Sequence, residues 1–106
     1  MLIAFSVAPS GTGNTDGSVH DAVAAAVKVV RDSGLPHRTT SMFTEIEGEW
    51  DEVMAVVKAA VDAVQPFGSR VSLVLKADIR PGYVGELDGK VQRLEQALSE
   101  NANDEG

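Results

Sequence analysis

The chain has 106 residues, 43% of them hydrophobic, which supplies one globular domain and is too little for two independent cores. A formal net charge of −7 argues against non-specific binding to nucleic acid or to an anionic membrane, because both need positive surface. The absence of cysteine excludes disulfides, thiolate zinc sites, iron–sulfur clusters and cysteine nucleophiles together.

The N-terminal run Met1-Leu2-Ile3-Ala4-Phe5 is apolar but has no basic n-region before it. No apolar stretch approaches the roughly 20 residues of a membrane span. The expectation is a soluble, cytoplasmic protein. Leu2 to Ala8 reads as a strand, with Ile3, Phe5 and Val7 on one face and Ala4, Ser6 and Ala8 on the other. Pro9 ends it, and Ser10 to Gly17 has the composition of a loop. Ser18 reads as an N-cap with Asp21 three residues on. Val19, Val23, Ala26, Val27 and Val30 then follow helical spacing until Gly34 and Pro36 stop the helix. His37 to Met42 suits a polar edge strand. A turn near Met42-Phe43 leads into a strand over Thr44 to Gly48, where Thr44 and Ile46 share one face and Glu45 and Glu47 the other.

Glu49, Asp51 and Glu52 crowd the start of a second helix, where negative charge complements the macrodipole. Its expected buried stripe is Trp50, Val53, Val57, Ala60, Val61 and Val64. Arg70 to Asp78 is a fourth strand, Pro81-Gly82 a turn, and Leu87, Val91, Leu94 and Leu98 mark a short amphipathic helix. The order is strand, helix, strand, strand, helix, strand and an extra helix. This is the split βαβ, ferredoxin-like pattern: an α+β sandwich with a four-stranded antiparallel sheet and two crossover helices on one face. One domain is expected over residues 1–100, with a flexible acidic tail over 101–106.

The other sheet face is expected to be uncovered and to carry Ala4, Ser6, Glu45, Glu47, Ser72, Val74, Lys76 and Asp78. Ser6, Glu47 and Lys76 are then candidates for one polar ligand site. The competing reading is a Glu47–Lys76 cross-strand ion pair, worth under ~1 kcal/mol if exposed. Known catalytic signatures are absent. Gly11 to Gly17 misses the dinucleotide-binding spacing, and Gly89-Lys90 lacks the upstream glycine of a phosphate loop. His20 and His37 stand at unrelated positions, so no metal site is expected. Trp50 and Phe67 are assigned to the core.

Four motifs in order resemble the small thiamine-binding, YkoF-like family. They are Ser6-Val7-Ala8-Pro9, Ser33-Gly34-Leu35-Pro36, Met42-Phe43-Thr44-Glu45-Ile46-Glu47-Gly48-Glu49, and Arg70-Val71-Ser72 with Lys76-Ala77-Asp78-Ile79-Arg80. The resemblance spans about residues 2–82. It implies a ferredoxin-like fold, assembly into dimers or tetramers, and binding of thiamine or its hydroxymethylpyrimidine part. It implies no established catalysis, and thiamine stands as ligand, not cofactor. Thr44, Glu47, Lys76, Asp78 and Arg80 match the family's motif positions; Phe43 stands at a turn position where a small residue is expected.

On this resemblance, Glu47 accepts a hydrogen bond from an exocyclic amine. Ser6 and Thr44 serve ring nitrogens, and Phe43 or Phe5 meets a flat ring. Lys76 orients Glu47 or serves an interface, and Asp78 and Arg80 act in support or at an interface. The alternatives are a structural or regulatory oligomer without a small ligand, and an enzyme acting on a pyrimidine with Glu47 as general base.

Overall fold

The computed structural model describes residues 1–11 and 16–104, the side chains of 16–19 and 101–104 excepted. In chain order the elements are β1 (Leu2–Ser10), α1 (Asp16–Asp32), β2 (His37–Thr39), β3 (Thr44–Glu47), α2 (Trp50–Val64), a 3-10 turn (Gln65–Phe67), β4 (Arg70–Asp78) and α3 (Glu86–Asp104). The strands lie in the order β2-β3-β1-β4, and every neighbouring pair is antiparallel. This is the ferredoxin-like sandwich, with α1 and α2 packed on one face.

Register follows the alternation of side chains. Ile3 faces Ile46 and Ala77, Phe5 faces Thr44 and Leu75, and Val7 faces Leu73. Directly opposed residues share a sheet face. Ile3, Phe5, Val7 and Ile46 therefore meet the buried residues Ala22, Ala26 and Val30 of α1 and Val53, Val57, Ala60 and Val64 of α2. The alanines let the helices lie close to the sheet. Each fully buried branched or aromatic side chain contributes roughly 1.5–3 kcal/mol.

The apolar pattern meets solvent at three points. Val23 is 44% exposed, because the buried face of α1 is Ala22–Ala26–Val30 and Val23 sits on its flank. Trp50 is 54% exposed at the first residue of α2, ahead of the turn that reaches the core. Leu73 lies on the helix side yet is 43% exposed, on an edge strand that pairs only with β1. The start of α2 is better furnished than acidic crowding implies, since the Glu49 backbone N–H donates to Glu52 Oε1 at 3.1 Å as half of a capping box. The first helix opens at Asp16, two residues ahead of Ser18, so the cap assigned to Ser18 falls among side chains outside the described residues. The turn Arg80-Pro81-Gly82-Tyr83 closes with Tyr83 N–H donating to the Arg80 carbonyl at 3.2 Å, and Gly82 has φ 83°. That positive φ is why glycine stands there.

The open sheet face is partly covered. α3 folds back so that its first turns lie over the Leu2 and Ala4 end of that face. It runs to Asp104, beyond Asn101, where the tail was expected to begin. Leu87 is buried at its start, whereas Val91, Leu94 and Leu98 remain 48%, 58% and 55% exposed.

Candidate functional site

β3 has four residues and β1 has nine. Pairing between them runs from Leu2↔Glu47 to Phe5↔Thr44 and stops, while β1 stays paired with β4 as far as Ser10. From Ser6 onward no described strand covers the β3 side of β1. The strand expected over His37 to Met42 ends at Thr39, because the chain turns at Thr40. There the Thr40 backbone N–H donates to the Phe43 carbonyl at 2.9 Å, and Thr40 Oγ1 donates to the same carbonyl at 2.8 Å. The Phe43 N–H donates back to Thr40 Oγ1 at 3.2 Å. One threonine thus ties the 40–43 loop on both sides and fixes where Phe43 enters.

Between this loop, the uncovered edge of β1 and α1 lies a cleft of 210 Å³. Phe5, Phe43, Val23 and Val27 supply its apolar walls. Thr39, Thr40, Ser41 and Thr44 supply hydroxyls, Ser6 lines the cleft at the edge of β1 while its pairing with Val74 puts its side chain on the face away from α1, and Met42, 75% exposed, stands at the rim. Among the described residues no charged side chain lines it. Hydroxyls both donate and accept, and the unpaired edge of β1 offers backbone groups of both kinds. Such a lining suits a flat, neutral ring bearing both donors and acceptors.

Ser6, Phe43 and Thr44 therefore come together. Glu47 and Lys76 do not join them. Glu47 pairs with Leu2, four residues from Ser6 along β1, a separation of about 13 Å at the usual strand rise. Its carboxylate is buried and committed. Oε2 accepts the Glu86 N–H at 2.8 Å and Oε1 accepts the Leu87 N–H at 3.2 Å. These are free donors of the first turn of α3, where negative charge also meets the helix dipole. Lys76 shares a row with Ala4 and Glu45, and lines a separate groove of 570 Å³ between sheet and α3. Asp78 pairs with Lys90, and the Arg80 guanidinium lies 3.5 Å from the centre of the Tyr83 ring. The open-face residues Glu47 and Asp78 thus dock α3, as does Arg38, which pairs with Asp88.

Sequence reasoning missed Thr40 and the α3 clasp. A threonine just before a turn is a readable signal for a side-chain-closed turn. Glu47 and its partners are about 40 residues apart in sequence, and nothing local announces them. Among the described residues no cluster of histidine, aspartate and glutamate is arranged to hold a metal ion, and no helix is long and apolar enough to cross a membrane.

Comparison with known proteins adds independent information. A family model described as thiamine-binding protein matches residues 3–95. UPF0045 protein Mb1933 of Mycobacterium bovis is 50% identical over 99 residues, covering 92% of this chain and 94% of the relative. UPF0045 protein sll0230 of Synechocystis is 36% identical over 99 residues, covering 92% and 79% respectively. Among solved structures, hypothetical protein MJ1052 of Methanocaldococcus jannascii superposes with a TM-score of 0.77 at 29% identity, covering 89% of this chain and 94% of that one. A Thermotoga maritima protein assigned provisionally to thiamine biosynthesis or salvage superposes with a TM-score of 0.72 at 26% identity, covering 88% and 96%.

Proposed function

Because the chain belongs to the thiamine-binding protein family, we propose that its hairpin cleft binds thiamine through the aminopyrimidine ring, or binds the free hydroxymethylpyrimidine, without turning it over. The observation that carries this reading is the uncharged cleft lined by Phe5, Phe43, Thr44 and the Ser6 edge of β1. Its 210 Å³ is below the roughly 300–1,000 Å³ of pockets for drug-sized ligands, and a single substituted ring suits it. The cationic thiazolium of thiamine then lies outside, towards solvent. Glu47 has no part in ligand contact on this reading, because its carboxylate is buried against the first turn of α3 and lies outside the cleft.

The reading includes self-association of a cytoplasmic protein into a dimer or tetramer. Two features support it: the exposed Val91–Leu94–Leu98 stripe of α3, and the free outer edge of the nine-residue strand β4. The test is isothermal titration with thiamine and with hydroxymethylpyrimidine at up to millimolar ligand, followed by chromatography of the recovered ligand. Saturable heat with unchanged ligand is the expected result. No heat and no thermal shift for either compound sinks the binding reading, and chemical conversion of the ligand sinks the non-enzymatic one.

A further inference from the structure

The cleft does not end at Thr39. Val23, Val27 and Thr39 line it from inside and also line a shallower groove of 670 Å³ on the outer side of α1. The cleft and the groove thus adjoin at these three residues. The displacement of Val23 out of the core makes this possible. Val23, Val27 and Arg31 stand at four-residue intervals, which places them on one ridge of α1 about 6 Å apart along its axis.

The outer groove differs from the cleft in charge. It carries Lys28, Arg31 and His20, and its one carboxylate, Asp32, is engaged with Lys28 at 2.6 Å. That hydrogen bond and the carboxylate's charge raise the Lys28 pKa above its ordinary value, so the ammonium is charged at neutral pH. Arg31 makes no ion pair among the described residues. A groove with a cationic excess is unusual on a chain of net charge −7. It also borders the cleft proposed for the ring, at Val23, Val27 and Thr39.

We infer that the outer α1 groove is a phosphate subsite, and that the ligand class includes phosphate esters of the aminopyrimidine or of thiamine, with Arg31 as the principal anion contact. This rests on the ring-binding reading of the cleft. Guanidinium suits the role, since its planar fork meets two phosphate oxygens at once. Lys28, one turn away, is paired with Asp32, which leaves Arg31 as the cation without an ion pair among the described residues. Arg31 then discriminates the phosphorylated ligand from the free alcohol and contributes nothing to the ring.

The experiment titrates hydroxymethylpyrimidine and its phosphate ester into the full chain and into Arg31→Gln and Arg31→Lys, at low and at physiological salt. The ester is expected to bind about tenfold tighter than the alcohol at low salt. Arg31→Gln should remove most of that advantage and leave the alcohol's affinity unchanged, while Arg31→Lys restores part of it. Added salt should narrow the gap, as exposed charge requires. Equal affinities for ester and alcohol overturn the inference, and so does an equal loss of both in Arg31→Gln. Inorganic pyrophosphate, titrated alone, separates the two readings. If neither pyrimidine binds but pyrophosphate binds in an Arg31-dependent way, the ring reading fails and the anion groove stands. If none of the three binds, both fail.

Discussion

Glu47 illustrates how much one residue's setting decides. Alternation along β3 sends it to the face opposite Ile46, and the helix donors waiting there turn an acid on a sheet into an anchor. Replacing it with Gln leaves one oxygen and places an N–H against another N–H. The expected loss is about 1–3 kcal/mol in denaturant unfolding, with affinity for hydroxymethylpyrimidine unchanged. Ile46, fully buried and opposed to Ile3, offers the contrasting case. Ile46→Ala should cost about 2–5 kcal/mol by the same measurement, through lost apolar contact and a residual cavity. The face each residue takes was legible, because a strand has a period of two. The partner of Glu47 was not, because it arrives on a helix whose docking depends on the whole fold.

At the scale of elements, helices and strands announced themselves where apolar period and breakers agreed. β4 matches its expected span, and Gly34, with φ 78°, follows α1 as its stop. The edge strand was overread, because β-branched composition continues through Thr40 while the Thr40 side chain turns the chain instead. The proposed ring site rests on that turn. Thr40→Val removes the hydroxyl with little change in shape. It should cost about 1 kcal/mol or less in global stability. Affinity for hydroxymethylpyrimidine should fall about fivefold or more, because the loop that presents Phe43 loses its preorganisation. Faster amide exchange at Phe43 in the free protein is the accompanying signature. A Thr40→Ser variant, which keeps the oxygen, should bind as the parent does.

For the whole molecule, the ordering of elements was enough to identify a ferredoxin-like sandwich. The path of α3 was not, since an amphipathic pattern says that a helix has a side to cover and does not say with what. The result is an elongated body of 58 × 30 × 19 Å. On the proposed self-association, light scattering of the wild-type chain at micromolar concentration should give a multiple of the chain mass. Leu94→Glu should reduce that mass, because it sets a charge in the middle of the exposed stripe. The same variant should leave the far-ultraviolet circular dichroism and the ring affinity unchanged, since Leu94 touches neither the core nor the cleft. A wild-type monomer at that concentration contradicts the assembly.

The mismatch between a four-residue β3 and a nine-residue β1 has an evolutionary reading. A sheet that stops pairing halfway leaves part of its edge unneeded for holding the strands together. The 40–43 loop is joined to the rest by its ends, and Thr40 closes it on Phe43, so its middle positions can change without shifting any strand. Substitutions in this loop can then reshape the cleft without disturbing the sheet. Phe43, at a site where a small residue was expected, stands at one such position.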